Sequence, residues 1–222
     1  MYVQPAFRID RSDCLAFAAA RGFGLVVAHD GTRPTGSPLP FDISYRDDGT
    51  PVASFHVARN NPLTALAARG DIWLLAVSGA DAYVSPEWYV TPEQVPTWLY
   101  ETVHLSGRVR IAPTPDKRGH LDRMTAHFER PDTGAPMWTS ERLTPGRREA
   151  MLNAIVAIEM DIEQVEGSAK LNQNKSKADF QAVVMHLREQ DDAMARQIAA
   201  RMVALKPNLS YEDATKEFSH GE

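Results

Sequence analysis

Apolar and polar positions along this chain follow two different periods, and the changes of period mark its elements. "DRSDCLAFAAARG" has helical spacing, with Asp10 as N-cap and Gly22 as terminator. "FGLVVAH" is a short apolar run of the kind that forms a buried strand. "DGTRPTGSP" carries turn residues and predicts a loop. "LPFDISY" and "PVASFHV" flank "RDDGT", a hairpin signal. In "ARNNPLTALAARGD", Asn61 can cap a short helix, Pro62 suits its first position and Gly70 can end it. "IWLLAVSG" and "AYVS" predict separate strands on either side of Gly79.

"PEWYVTPEQVPTWLY" is a stiff loop, because Pro86, Pro92 and Pro96 exclude regular structure. "ETVHLSGRVRIA" predicts a long strand around Gly107, with Val103, Leu105, Val109 and Ile111 on apolar faces. "DKRGHLDRMTAHFE" is helical, and so is "TPGRREAMLNAIV", with Thr144 as cap and Pro145 in its first turn. In "AIEMDIEQV", Ile158, Met160 and Ile162 alternate with Glu159, Asp161 and Glu163, which is a strand with one wet face. "SKADFQAVVMHLREQDDAMARQIAARMVAL" predicts one long C-terminal helix that opens on a capping box of Ser176 and Asp179. Residues 206–222 show no core face and read as a mobile tail behind a single domain of residues 1–205. Strands in the middle with helices between and around them predict an α+β fold on an antiparallel sheet or barrel.

Composition narrows the function classes. A chain of 222 residues can bury a sizeable core. No run approaches the ~18 apolar residues of a membrane span. The start, "MYVQPAFRID", lacks the pattern of a signal peptide. The single Cys14 falls in a helical setting and reads as a small buried hydrophobe. These features predict a cytoplasmic protein without a membrane partner. With a net charge of -5 and basic residues scattered among acids, the sequence gives nucleic-acid binding no support of its own.

Three stretches could carry chemistry. "KLNQNK", residues 170–175, lies between a strand and a helix start, and Lys170 and Lys175 flank Asn172, Gln173 and Asn174. Taken alone it reads first as a solvated loop whose amides cap the helix, and it also suits an anionic or heteroaromatic ligand. "FHVARNNP" places His56, Arg59, Asn60 and Asn61 at a strand exit, where Arg59 can fork onto phosphate oxygens; a plain surface turn is the alternative. Between Tyr83 and Tyr100, aromatics on a proline-stiffened loop can stack on a flat ring or pack a core or a subunit interface. His120 and His127 share a helical face, but no third metal ligand has suitable spacing, so no metal site is expected. GxSxG is absent, and His104 reads as a packed strand histidine.

"MYVQPAF", "FHVARNNP", "YVSPEWY", "VPTWLY", "VHLSG" and "KLNQNKS" occur in the order seen in the PaiB-like family. The chain resembles these FMN-binding negative transcriptional regulators from about Met1 to Leu205. The resemblance implies a split β-barrel of the pyridoxamine-phosphate-oxidase type, antiparallel and of Greek-key kind, usually a homodimer with flavin at the interface. By the same resemblance, Arg59 would be the main phosphate ligand, helped by His56, Asn60 and Asn61. Pro96, Thr97 and Trp98 would line the pocket, and Lys170, Asn172, Gln173, Asn174 and Lys175 would close it. Two positions depart from the family: Leu99 stands where it commonly has Asn, which removes a possible ligand hydrogen bond, and Asn172 stands for Ser, which keeps one. The resemblance implies FMN as cofactor and leaves DNA as a possible partner. Two alternatives are a flavin-dependent oxidoreductase for an unknown small molecule, with His56, His104 and Lys170 as residues to test, and a haem-handling split barrel.

Overall fold

A computed structural model describes residues 1–129 and 138–211. Of the expected tail, 212–222 lie outside the described residues. Six strands are present: β1 (Phe23–His29), β2 (Pro34–Tyr45), β3 (Pro51–Ala58), β4 (Ile72–Val84), β5 (Thr97–Ile111) and β6 (Ile155–Lys170). They close a barrel in the order β1-β2-β3-β6-β5-β4. The helices are α1 (Arg11–Arg21), α2 (Leu63–Ala67), α3 (Thr114–Phe128), α4 (Pro145–Asn153), α5 (Lys177–Glu189) and α6 (Ala193–Leu205). This is the expected α+β barrel.

The chain forms two compact units. The barrel unit comprises Asp10–Val77 and Val103–Glu166. Its inward-facing positions are apolar: Val26, Phe41, Phe55, Trp73, Leu105, Ile158 and Met160 are buried. Phe55 and Trp73 stack with ring centroids 6.3 Å apart. The strict alternation read in β6 is present. Ile158, Met160 and Ile162 are buried, while Glu159 and Asp161 take ion pairs from Arg46 and Arg110 on the other face. Register pairs Val52 with Asp161 and His56 with Ala157. Gly107 is required by close packing, because a Cβ there would collide with the carbonyl oxygen of Asp161.

The helical unit comprises Met1–Ile9, Ser78–Thr102 and the described residues from Gly167 onward. Phe180, Val183, Val184 and Leu187 of α5 pack with Ile198, Ala199 and Met202 of α6 over Ala80, Ala82, Val84 and Leu99. The N-terminal segment joins the end of β6 through an Arg8–Ser168 bridge, and Ile9 N–H donates to the Gly167 carbonyl at 3.2 Å. Glu101 of β5 is buried at 4 % exposure, and Arg201 of α6 grips both its oxygens at 2.8–2.9 Å. Leu209 and Tyr211 pack against this core.

Several elements differ from the sequence reading, each for a physical reason. "PTGSP" belongs to β2 rather than to a loop. Pro34, Pro38 and Pro40 share one parity, and β3 pairs only with Phe41–Tyr45, so the missing N–H groups fall where the ladder with β1 does not need them. The two short strands around Gly79 are one strand, β4. Buried positions are odd through Val77 and even from Ala80, so Gly79 marks a change of buried face rather than a break. Ile111 is exposed at the strand end. "TWLY" starts β5 instead of closing the aromatic loop. The long C-terminal helix is two helices. Gln190 is extended, and the Asp192 carboxylate accepts from Met194 N–H at 2.9 Å, capping a fresh start.

Candidate functional site

The "KLNQNK" stretch forms a tight turn. Lys175 N–H donates to the Asn172 carbonyl at 2.9 Å, and Asn172 adopts φ 58°, a left-handed conformation that Asn tolerates better than most residues. Asn172 is 2 % exposed, and its amide donates to the Tyr89 hydroxyl at 3.2 Å. The Gln173 amide donates to the carbonyls of Ala6 (3.0 Å) and Ala169 (2.6 Å) and accepts from Leu171 N–H, so it fastens the turn.

Ser176 caps α5 by accepting from Asp179 N–H at 3.1 Å. The Asp179 carboxylate turns elsewhere than a capping box would send it. It accepts from the N–H groups of Val90 and Thr91, both at 2.9 Å, and from the hydroxyls of Thr91 and Ser176, both at 2.8 Å. The aromatic, proline-rich loop is thereby pinned to the start of α5.

These contacts leave a cavity of about 360 Å³ within the helical unit. Lys170, Lys175, Thr97 and Asn174 supply its polar wall, and Tyr89 and Tyr100 supply rings. No carboxylate lines it. The Lys170 ammonium donates to the Thr97 hydroxyl, and Lys175 donates to Gln94 Oε1 at 2.6 Å with its Nζ 5.0 Å from the Tyr89 ring centroid. Neither lysine has an acidic partner among the described residues, so both positive charges stand ready for an anion.

The other expected residues lie in the barrel unit. Arg59 is exposed, and its Nε donates to the Asn153 carbonyl at 2.6 Å, which orients a guanidinium whose terminal nitrogens have no partner among the described residues. Asn60 is exposed beside it. Asn61 is occupied structurally: its carbonyl oxygen accepts from Leu63 N–H at 2.9 Å, and its amide donates to Ser37 at 3.2 Å. His56 contacts His120, its Nδ1 3.2 Å from His120 Nε2. Burial, and secondarily the neighbouring His120, push the His56 pKa down to about 4. The structure therefore divides the expected set between two units and gathers Thr97, Lys170, Asn172, Asn174 and Lys175 into one cavity.

Two other expected residues stand apart from that cavity's lining. Pro96 precedes β5, and Trp98 is exposed and packs edge-on against Tyr83 at 5.9 Å. Leu99 is fully buried in the helical core. The sequence reading missed Asp42 and Arg123, took Asp179 only as a capping-box partner, and took His120 only as half of a metal pair. The Ser-x-x-Asp spacing signalled Asp179. Nothing local in "PFDISY" signalled that Asp42 would meet a helix 78 positions later.

Residues 1–164 match the profile of a family described as "Putative FMN-binding domain". The chain belongs to this family. Its sequence is 27 % identical over 203 residues to the Bacillus subtilis "Protease synthase and sporulation protein PAI 2", spanning 91 % of this chain and 96 % of that one. This FMN-binding-domain chain also shares its fold with solved structures. The flavocytochrome Anf3 from Azotobacter vinelandii superposes with a TM-score of 0.57 at 18 % identity, covering 76 % of this chain and 72 % of the other. The FAD and haem binding protein from Mycobacterium smegmatis superposes with a TM-score of 0.53 at 18 % identity, covering 72 % and 71 %. At such identities the likeness is one of fold. The family profile ends at residue 164, before "KLNQNK", whereas the match to PAI 2 spans nine-tenths of the chain. Among the described residues, no helix is long and apolar enough to cross a membrane.

Proposed function

We propose that this chain binds FMN and acts as a regulator of the PAI 2 kind, working as a homodimer. The observation that carries the flavin reading is the acid-free cavity with two lysines that have no acidic partner among the described residues, beside tyrosine rings, in a chain of the FMN-binding-domain family. That donor set of ammonium, hydroxyl and amide groups fits a phosphorylated, polyhydroxylated ring system. Lys170, Lys175, Thr97 and Asn174 are proposed to hold polar atoms of the flavin. Asn172 and Gln173 shape the turn that presents them, and Pro96 and Trp98 flank it. On the barrel unit, Arg59 is proposed as a phosphate ligand with Asn60 beside it, while His56 and Asn61 support that surface. When bound, FMN would supply hydride or electron transfer; the protein's part is to bind and orient it.

The homodimer reading draws on exposed apolar side chains in the helical unit, namely Trp98, Tyr83, Val90 and Val95. Regulation is proposed to act without direct operator reading, since the chain carries a net charge of -5.

The test is a titration of FMN followed by flavin fluorescence. Binding should saturate, and Arg59→Ala and Lys175→Ala should each weaken it by about tenfold or more, as expected for a lost charge-assisted hydrogen bond. Unchanged affinity in Arg59→Ala would remove the phosphate from that turn, and unchanged affinity in Lys175→Ala would remove the flavin from the cavity. For the regulatory reading, a sequence-specific DNA mobility shift that survives about 150 mM salt would contradict indirect action.

A further inference from the structure

Beneath α3, the barrel unit holds three side chains in a row. His120 Nδ1 lies 2.8 Å from Asp42 Oδ1, and His120 Nε2 lies 3.2 Å from His56 Nδ1. Arg123 Nε donates to the other Asp42 oxygen at 3.0 Å. His120 is buried at 3 % exposure, and no buried side-chain nitrogen or oxygen among the described residues lacks a partner. His56 Nε2 has no protein partner among those residues, so it is the end of the row that reaches solvent.

Hydrogen-bond polarity permits two proton arrangements here. In the first, His120 Nδ1–H donates to the Asp42 carboxylate, His56 Nδ1–H donates to His120 Nε2, and His56 Nε2 is bare. In the second, one more proton is present. It binds His56 Nε2, the His56 Nδ1 proton passes to His120 Nε2, and His56 Nδ1 becomes the acceptor. The two rings then hold three nitrogen-bound protons instead of two, and the added charge sits on His120 against Asp42.

We propose that Asp42, His120 and His56 form a one-proton relay whose outward nitrogen, His56 Nε2, turns from hydrogen-bond acceptor into donor on proton uptake, with the positive charge settling on His120. The chemical class it would receive is a weak acid with an O–H or N–H group. The neutral relay accepts that group's hydrogen bond, and the protonated relay donates to the resulting anion.

The surroundings explain why the charge moves inward. Asp42 from β2 is the acid in hydrogen-bond contact with the row, and it touches His120 rather than His56. Arg123 from α3 shares that carboxylate and tempers its pull. On the sheet face that carries His56, the partner opposite on β6 is the uncharged Ala157 and the neighbours along β3 are Ser54 and Ala58; the next residue of β6 on that face, Glu159, is held by Arg46 and Arg110. A cation on His56 is disfavoured by burial and by His120. Burial opposes the charge on Asp42, yet the hydrogen bonds from His120 and Arg123 keep its pKa below the ordinary carboxylate value. The relay needs no bound flavin, so its fate is separate from that of the FMN reading.

The test is nitrogen-15 NMR of the imidazoles in the full chain from about pH 8 to about pH 5. Each ring is assigned through its own Cβ, so the wild type alone decides the outcome. At high pH, His56 should show a protonated Nδ1 and a bare Nε2. On acidification His120 should become doubly protonated, while His56 stays neutral and its proton moves to Nε2. In Asp42→Asn, proton uptake should weaken by about tenfold or more. A His56 that carries Nε2–H at high pH, a charge that settles on His56, a pair that takes up no proton, or an unshifted midpoint in Asp42→Asn would each overturn the relay.

Discussion

Single residues set the tightest limits on this molecule. At Gly107, an added methyl meets backbone rather than a flexible side chain. Gly107→Ala should cost about 3 kcal/mol, read as a lower midpoint in urea, and a neutral outcome would mean that β5 and β6 can move apart at no cost. His56 gives a pH dependence with a definite sign. Its folded pKa lies at about 4, below the ordinary value, so between those values the unfolded chain binds the extra proton and the folded chain does not. The stability involved is therefore complete above about pH 6.5 and drains away as pH falls toward 4. Melting temperature should drop over that window in the wild type and drop less in His56→Gln; parallel curves would contradict the assignment. Asn172 shows how far one residue could be read from sequence. Its place in a polar turn was legible, but its bond to Tyr89 was not, because that partner sits on a loop 83 positions away.

At the scale of elements, local pattern was legible wherever one period ran alone. The alternation in β6 and the glycine-terminated α1 follow from spacing and end chemistry, although Asp10 sits at the N-cap of α1 without a side-chain capping hydrogen bond. Pattern failed where two influences overlapped. Prolines of one parity on a half-paired strand look like a loop, and a capped restart after Gln190 looks like continuous helix. The buried Glu101 was hidden for a similar reason: its partner, Arg201, comes from an element 100 positions later. That pair ties α6 to β5. Arg201→Ala should lower stability by about 3 kcal/mol, because it strands a buried carboxylate, whereas Arg201→Ala combined with Glu101→Gln should recover part of the loss. Equal losses in the single and double variants would show that α6 docks through its apolar face alone.

For the whole molecule, the α+β barrel could be anticipated from the order of periods, and the specific family from short motifs in sequence order. How those motifs distribute in space could not. "FHVARNNP" falls in the barrel unit and "KLNQNK" in the helical unit, where it lines a cavity together with the N-terminal segment and the aromatic loop. Residue types suggest which ligand is suitable, but the grouping of residues comes from long-range packing. The central claim is that this chain holds FMN, and the most direct measurement is a fluorescence titration of the purified chain with FMN. The expected result is saturable quenching that weakens about tenfold or more in Arg59→Ala and in Lys175→Ala. Quenching that never saturates, or an affinity indifferent to both substitutions, would contradict it.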